Sequence, residues 1–314
     1  MARLSYGAAA CLALERAMGT DARVVAMGED VGRGGIFGQY RGLQQKFGAA
    51  RVIDTPISES TIMGAAVGMA LTGLKPVVEM RVVDFALCAM DEIVNQAAKA
   101  RFMFGGQGRV PLVARLPIGI WTGSAAQHSQ SLEAWFAHIP GLVVVAPGTP
   151  QDNHSLLSAA IDSGDPVIYM EHKELWGLEG EVVEGEKVAL GKARVIQPGS
   201  DVTLVTWSRT MQTALEAIKK AKNISVELID LRTIWPWDRE TVLASAAKTR
   251  RLVVAHEAVR VAGFGAEIAA TVAEELGVPV KRVGGARIPA GYSLPLEDEA
   301  RVDAAAIVKA LTNF

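Results

Sequence analysis

Short runs of β-branched residues alternate with helix-like stretches along the whole chain, and this alternation restricts the fold more than any other feature. Residues 23–27, 76–80, 111–115, 142–146 and 166–170 are near-continuous apolar runs, and 60–72, 91–102 and 150–162 between them have helical character. Strands apolar on both faces belong in a sheet covered on both sides by helices, so the reading is α/β with a mostly parallel sheet. A charged, glycine-bearing stretch at 180–200 interrupts the pattern. A second series then begins: strand 201–207, helix 211–221, strand 225–230, helix 238–249, strand 251–255, helix 265–276 and a strand near 278–283. This predicts two domains, 1–188 and 189–314. At 314 residues and 50% hydrophobic, the chain has material for two cores.

Several function classes drop out on charge and composition. With 32 basic and 34 acidic side chains the formal charge is -2, which leaves no cationic excess for a phosphate backbone, so no nucleic-acid partner is expected. Two cysteines, Cys11 and Cys88, make neither a disulfide framework nor a multi-cysteine zinc site. No stretch reaches the roughly 18 apolar residues of a spanning helix, and no basic region precedes a long apolar core at the start. The expectation is a cytoplasmic chain without a membrane partner.

Three features invite chemistry. Gly32, Gly34, Gly35 and Gly38 follow a strand, and Asp54 ends the next strand about 20 residues on, a loose version of a dinucleotide-binding fingerprint. A surface or interface loop is the competing reading. Asp54 to Glu59 (DTPISE) closes a strand and opens the helix at 60–72. Asp54 or Ser58 is suited to capping that helix, and Glu59 to complementing its dipole. Yet the helix is small and apolar throughout, and a carboxylate at the head of a buried helix suits proton relay. His128, in the run Gln127-His128-Ser129-Gln130, lies after a glycine-containing loop. None of the five histidines pairs at metal-ligand spacing, so no transition-metal site is expected.

The order of short motifs is more specific than any of these alone. Gly28-Glu29-Asp30-Val31, the run from Arg51 to Glu59, Asp84-Phe85, the run from Asn95 to Lys99, and Gln127 to Gln130 come first. Asp165 to Ile168, Glu171-His172-Lys173, Asp201 to Thr203, Ile229 to Thr233 and Ala255-His256-Glu257 follow. Together they resemble the beta subunit of the thiamine-diphosphate-dependent, decarboxylating component of 2-oxo acid dehydrogenase complexes, a group that includes acetoin dehydrogenase beta subunits. The resemblance spans nearly the whole chain. It implies a pyrimidine-type thiamine-diphosphate-binding domain followed by a transketolase C-terminal domain.

It also implies roles. A carboxylate at the Glu59 position bonds the aminopyrimidine ring of the cofactor and relays a proton. Phe85 matches an aromatic that packs on that ring, with Ile57 and Glu29 in the same cofactor-binding set. His128 matches a histidine that assists proton transfer during acylation of a lipoyl group. A monovalent-cation site, usually potassium, maps onto Leu112, Ala160, Ile161, Ser163 and Asp165, with a turn that needs no ion as the alternative. The Gly-Asp-Gly run that commonly holds the cofactor's magnesium is missing from the sequence. The resemblance therefore assigns Mg2+ to an alpha subunit, in a heterotetramer of two alpha and two beta chains. A lipoyl acyltransferase is the further partner.

Pyruvate dehydrogenase is the first reading, with acetoin and branched-chain 2-oxo acid dehydrogenases as alternatives that the sequence scarcely separates. Trp121 is a bulky candidate for shortening a pocket. Two readings of other classes stand beside these: a nicotinamide-dependent dehydrogenase built on the glycine loop, and a non-catalytic adaptor. The terminal Phe314, an aromatic beside the α-carboxylate, is read as an anchor for acyltransferase docking.

Overall fold

A computed structural model describes all residues from Met1 to Phe314. Contacts divide it into two units: Met1–Ile118 with Trp135–Leu190, and Gly119–Ala134 with Gly191–Phe314. A single cut at 188/189 does not describe these units, because residues 119–134, which carry His128, group with the second.

The first unit contains β1 (Ala2–Ser5), α1 (Tyr6–Thr20), β2 (Val24–Gly28), α2 (Leu43–Phe47), β3 (Val52–Asp54), α3 (Glu59–Leu71) and β4 (Lys75–Glu79). It continues with α4 (Ala98–Met103), β5 (Val113–Arg115), α5 (Glu133–Ala137, which crosses the division), β6 (Val143–Val145), α6 (Pro150–Ile161), β7 (Val167–Tyr169) and β8 (Glu179–Val182). Its strands run β6-β7-β5-β4-β2-β3, every neighbouring pair parallel. The apolar runs build the buried centre of this sheet, and β2, β5 and β7 are buried along their whole length. Helices α1 and α6 cover one face, packing Leu14, Met18, Leu156 and Ile161 against Val24, Val77, Val113 and Val167. Their starts are fixed locally: Ser5 accepts from Ala8 N–H, and Thr149 accepts from Asp152 N–H with Pro150 at the first helical position.

The helix expected over 91–102 is present, with a π-helical stretch (Glu92–Ala97) running directly into α4, and a 3-10 segment (Val83–Ala89) precedes it. The charged stretch after residue 180, read as a lapse, holds strand as well. β8 pairs antiparallel with β1 in a separate two-stranded sheet. Periodicity missed it because its alternation is polar and its partner lies at the other end of the unit.

The second unit contains β9 (Arg194–Gln197), β10 (Val202–Thr206), α7 (Thr210–Lys220), β11 (Val226–Asp230), β12 (Thr233–Trp235), α8 (Arg239–Thr249) and β13 (Leu252–Val259). It ends with α9 (Gly265–Leu276), β14 (Val280–Gly285), α10 (Leu294–Asp298) and α11 (Ala304–Thr312). One sheet runs β14-β13-β10-β11-β9, with only β9 antiparallel. Helices α7 and α11 close its core around Leu204, Leu228, Val253 and Ile307. No helix in either unit is long and apolar enough to cross a membrane.

Candidate active site

In a parallel sheet the loops after the strands' carboxyl ends gather on one edge, and there the first unit collects its candidate residues. Gly28, last residue of β2, lies in register with Asp54 on β3 and Glu79 on β4. Glu29 and Asp30 continue from β2, Ile57 and Glu59 from β3, and Arg81 from β4. The 3-10 segment bearing Phe85 packs against α3, which Glu59 begins. The structure thus brings Glu29, Ile57, Glu59 and Phe85 to one edge. Ile57 is 78% exposed, while Glu29, Glu59 and Phe85 are half-buried.

Glu59 makes no side-chain hydrogen bond or ion pair within the chain. Neither Ser58 nor Asp54 caps α3: Ser58 makes no side-chain cap bond, and the Asp54 carboxylate accepts from Gly32 N–H at 2.7 Å. Nor is α3 buried all round. It buries Ile62, Met63, Ala66, Val67 and Ala70 and exposes the face with Thr61, Gly64, Ala65 and Gly68. Small residues made the helix look uniformly apolar in sequence, but only one face of it meets the core.

Charge on this edge is mostly negative. Burial pushes the Glu29 carboxyl up; the Arg81 guanidinium opposes that shift, and Glu59 and Asp30 reinforce it. Arg81 Nη1 also donates to Asp30 Oδ2 at 2.7 Å. The sequence reading missed Arg81, whose only signal is a cation directly after a buried apolar strand.

A buried polar network, also missed, runs through the same strands. Arg115 on β5 and Glu171 are fully buried and joined by two bonds of 2.8 Å, from Nε and Nη2. Asn153 Nδ2 donates to the same carboxylate at 3.0 Å, and the Arg115 guanidinium lies 4.9 Å from the Tyr40 ring centroid. Glu79, at the end of β4, accepts from Gln39 Nε2 at 2.8 Å and from the Tyr40 hydroxyl at 2.9 Å. Burial pushes its carboxyl up to about 7, against the pull of Arg115.

These bonds decide what the glycine loop is. Gly32 is tied to Asp54, Gln39 and Tyr40 to Glu79, and a carbon added at Gly32 would lie 2.2 Å from Asp54 Oδ2. The next helix, α2, has five residues and starts only after Gly42. A dinucleotide site needs a helix opening directly at the glycines to receive the pyrophosphate, and none opens here. The loop is a strap folded onto the sheet edge.

His128 belongs to the second unit. It is exposed, on a 3-10 turn (Ala126–His128). Its segment is closed by Gly119 N–H donating to the Gln130 carbonyl at 2.9 Å. Ile120 N–H donates to Glu257 Oε1 at 2.8 Å, and Gly123 N–H donates to Glu297. Glu133, buried, accepts from Trp207 Nε1 at 3.1 Å, and burial pushes its carboxyl up to about 6. Trp121 is 39% exposed in this segment, its carbonyl accepting from Ser124 N–H.

The residues mapped to a monovalent cation gather at the α6–β7 turn, where their oxygens have partners in the chain. The Leu112 carbonyl accepts from Val167 N–H at 2.8 Å and the Ala160 carbonyl from Ser163 N–H at 3.1 Å. Ser163 Oγ accepts from Asp165 N–H, and the Asp165 carboxylate pairs with Arg101 at 2.9 Å. Ile161, buried, completes the end of α6. These bonds close the turn, and the Leu112 and Ala160 carbonyls each keep a second lone pair. Phe314 is not a free anchor: its ring packs against the second unit's core, with Lys281 at 4.7 Å and Arg251 at 5.7 Å from its centroid.

Comparison with known proteins agrees with this architecture. Residues 2–177 match the transketolase pyrimidine binding domain, and 191–307 match the transketolase C-terminal domain. The chain is 45% identical to the pyruvate dehydrogenase E1 component subunit beta of Rickettsia bellii, over 91% of this chain and 90% of that one. It is 42% identical to the acetoin:2,6-dichlorophenolindophenol oxidoreductase subunit beta of Cupriavidus necator (94% and 93%). Identity to the 2-oxoisovalerate dehydrogenase subunit beta of Bacillus subtilis is 40% (92% and 91%). A solved structure described as a split gene transketolase, inactive beta4 tetramer, shares the fold at a TM-score of 0.80 and 21% identity, covering 98% of this chain and 97% of that one.

Proposed function

This chain belongs to the E1 beta-subunit family of 2-oxo acid dehydrogenases, and on that premise we propose that it is the beta half of a thiamine-diphosphate-dependent enzyme that decarboxylates a 2-oxo acid and passes the acyl group to a lipoyl dithiolane. The observation that carries the reading is Glu59: a half-buried carboxylate without a partner in the chain, at the sheet edge that also holds Ile57, Phe85 and Glu29. An aminopyrimidine ring needs a carboxylate free to bond a ring nitrogen and apolar surface for its faces. Glu59, the exposed Ile57 and the part-exposed Phe85 meet those needs. Thiamine diphosphate, when bound, supplies the electron sink for decarboxylation.

The chain's own residues do the rest. Glu59 holds or moves the proton at the aminopyrimidine nitrogen. Phe85 and Ile57 keep water from the ring. Glu29, whose carboxyl is pushed up by burial, is the acidic neighbour of Glu59. His128 delivers a proton to the dithiolane. The magnesium and diphosphate half is assigned to an alpha subunit, since no Gly-Asp-Gly run occurs. No step depends on a monovalent cation.

Pyruvate is the proposed substrate, with branched-chain 2-oxo acids and acetoin as the competing ones, because relatives of all three types align over nine-tenths of the chain. Reconstitution with an alpha subunit and assay against the three substrates tests this. Pyruvate is expected to have the highest kcat/KM, and a higher value for either of the others would reassign the substrate. The strapped glycine loop speaks against a nicotinamide site, and a partnerless carboxylate at the sheet edge speaks against a pure adaptor.

A further inference from the structure

The segment carrying His128 holds an unfavourable backbone conformation. Thr122 and Ala125 have φ of 33° and 61°, a region that residues with a β-carbon rarely occupy. Such conformations persist only where the surroundings over-determine them. Here the surroundings are acids of the second unit. Ile120 N–H and Gly123 N–H, on either side of Thr122, donate to Glu257 and Glu297. Glu257 also accepts from the Ser131 hydroxyl at 3.5 Å, beyond His128. Glu297 is fully buried and paired with Arg301, so its charge is compensated and its carboxylate stays in place. Backbone N–H groups bound to carboxylates are held roughly twice as strongly as by neutral acceptors.

The far end of the segment is fixed too. Glu133 accepts from the Trp207 indole, which stacks on His256 at 5.1 Å and 19°. His256 Nδ1 lies 3.0 Å from the Ala258 carbonyl, and carbons added at Gly263, Gly265 or Gly284 would come within 3.0 Å of its ring. The segment is thus tied at 120, 123, 131 and 133 to Glu257, Glu297 and Trp207 of the same unit, with His128 between the ties.

We propose that Glu257 and Glu297 are positioning residues that hold the His128 segment in the conformation from which His128 acts. This rests on the E1 reading for the role of His128, while the anchoring itself does not. Hydrogen exchange on the full chain measures the anchoring without substrate or cofactor. Glu297→Ala is expected to raise exchange across 119–134 at least tenfold while the sheet of the second unit stays protected. Glu257→Ala is expected to do the same from the Ile120 end. In the enzyme reconstituted with an alpha subunit, Glu297→Ala should lower dithiolane acylation at least tenfold and decarboxylation with an artificial electron acceptor less than twofold. Glu297→Gln keeps an acceptor oxygen and should recover most of the loss. In a His128→Ala background, Glu297→Ala should add nothing further.

Unchanged exchange in both alanine variants overturns the proposal, as do equal losses in the two assays or additive losses with His128→Ala. If Glu297→Ala does not fold, Glu257→Ala and Glu297→Gln decide by the same exchange readout. A wild-type pair without 2-oxo acid turnover contradicts the E1 reading instead, and the exchange result still decides the anchoring.

Discussion

The Tyr40 hydroxyl donates to Glu79 Oε2 at 2.9 Å, fastening the glycine-rich strap to the end of a buried strand through a carboxyl that titrates near neutrality. Burial is what raises it. The folded pKa, about 7, lies above the ordinary 4.5, so the folded chain binds this proton more tightly than the unfolded one. The stability it contributes is full below pH 4.5 and is lost as pH rises through 7. Glu79→Gln has no charge to bury. Relative to wild type, the variant should therefore gain stability between pH 5 and 8, by up to about 3 kcal/mol. Denaturant unfolding of both proteins across that range checks the sign; a pH-independent difference would contradict it.

Arg115 and Glu171 are a second buried pair, and removing one partner leaves a charge without compensation. Arg115→Met is expected to destabilise the chain by about 3–5 kcal/mol, read as a lower denaturation midpoint at unchanged slope. A loss under 1 kcal/mol would contradict the reading that each charge of the pair depends on the other.

Glu59→Gln is nearly isosteric and should leave folding and pairing intact. The amide cannot relay a proton, so turnover in the reconstituted enzyme should fall by about 10²- to 10⁴-fold. Retention of more than a tenth of the activity would remove Glu59 from its assigned role.

For His128→Ala the two assays should separate. Dithiolane acylation is expected to suffer more than decarboxylation with an artificial acceptor. Equal losses would assign His128 to a step shared by both.

How much of this the sequence carried depends on the range of the interaction. Strands β2, β4, β5, β7, β10 and β11 were legible because burial on both faces leaves an uninterrupted apolar run. Strand β8 was not, because Glu179 and Glu181 alternate with Gly180 and Val182 and its partner is at the chain's start. Glu59 was legible from its place between a strand and a small-residue helix. Glu79 was invisible: one acid closing an apolar strand looks the same whether it faces water or Tyr40. Glu257 stood within a recognised motif, but its bond to Ile120 joins residues 137 positions apart. Phe314 looked like an anchor because nothing in sequence places Lys281 and Arg251 over its ring.

The most direct test of the central claim, that this chain supplies one half of a thiamine diphosphate site through Glu59, is calorimetric titration of thiamine diphosphate with magnesium. It would be run on the chain alone, on the chain paired with an alpha subunit, and on the Glu59→Gln pair. The account predicts little or no binding to the chain alone, saturable binding to the pair, and binding at least tenfold weaker to the Glu59→Gln pair. Tight binding by the chain alone, or equal affinity in the two pairs, would contradict it.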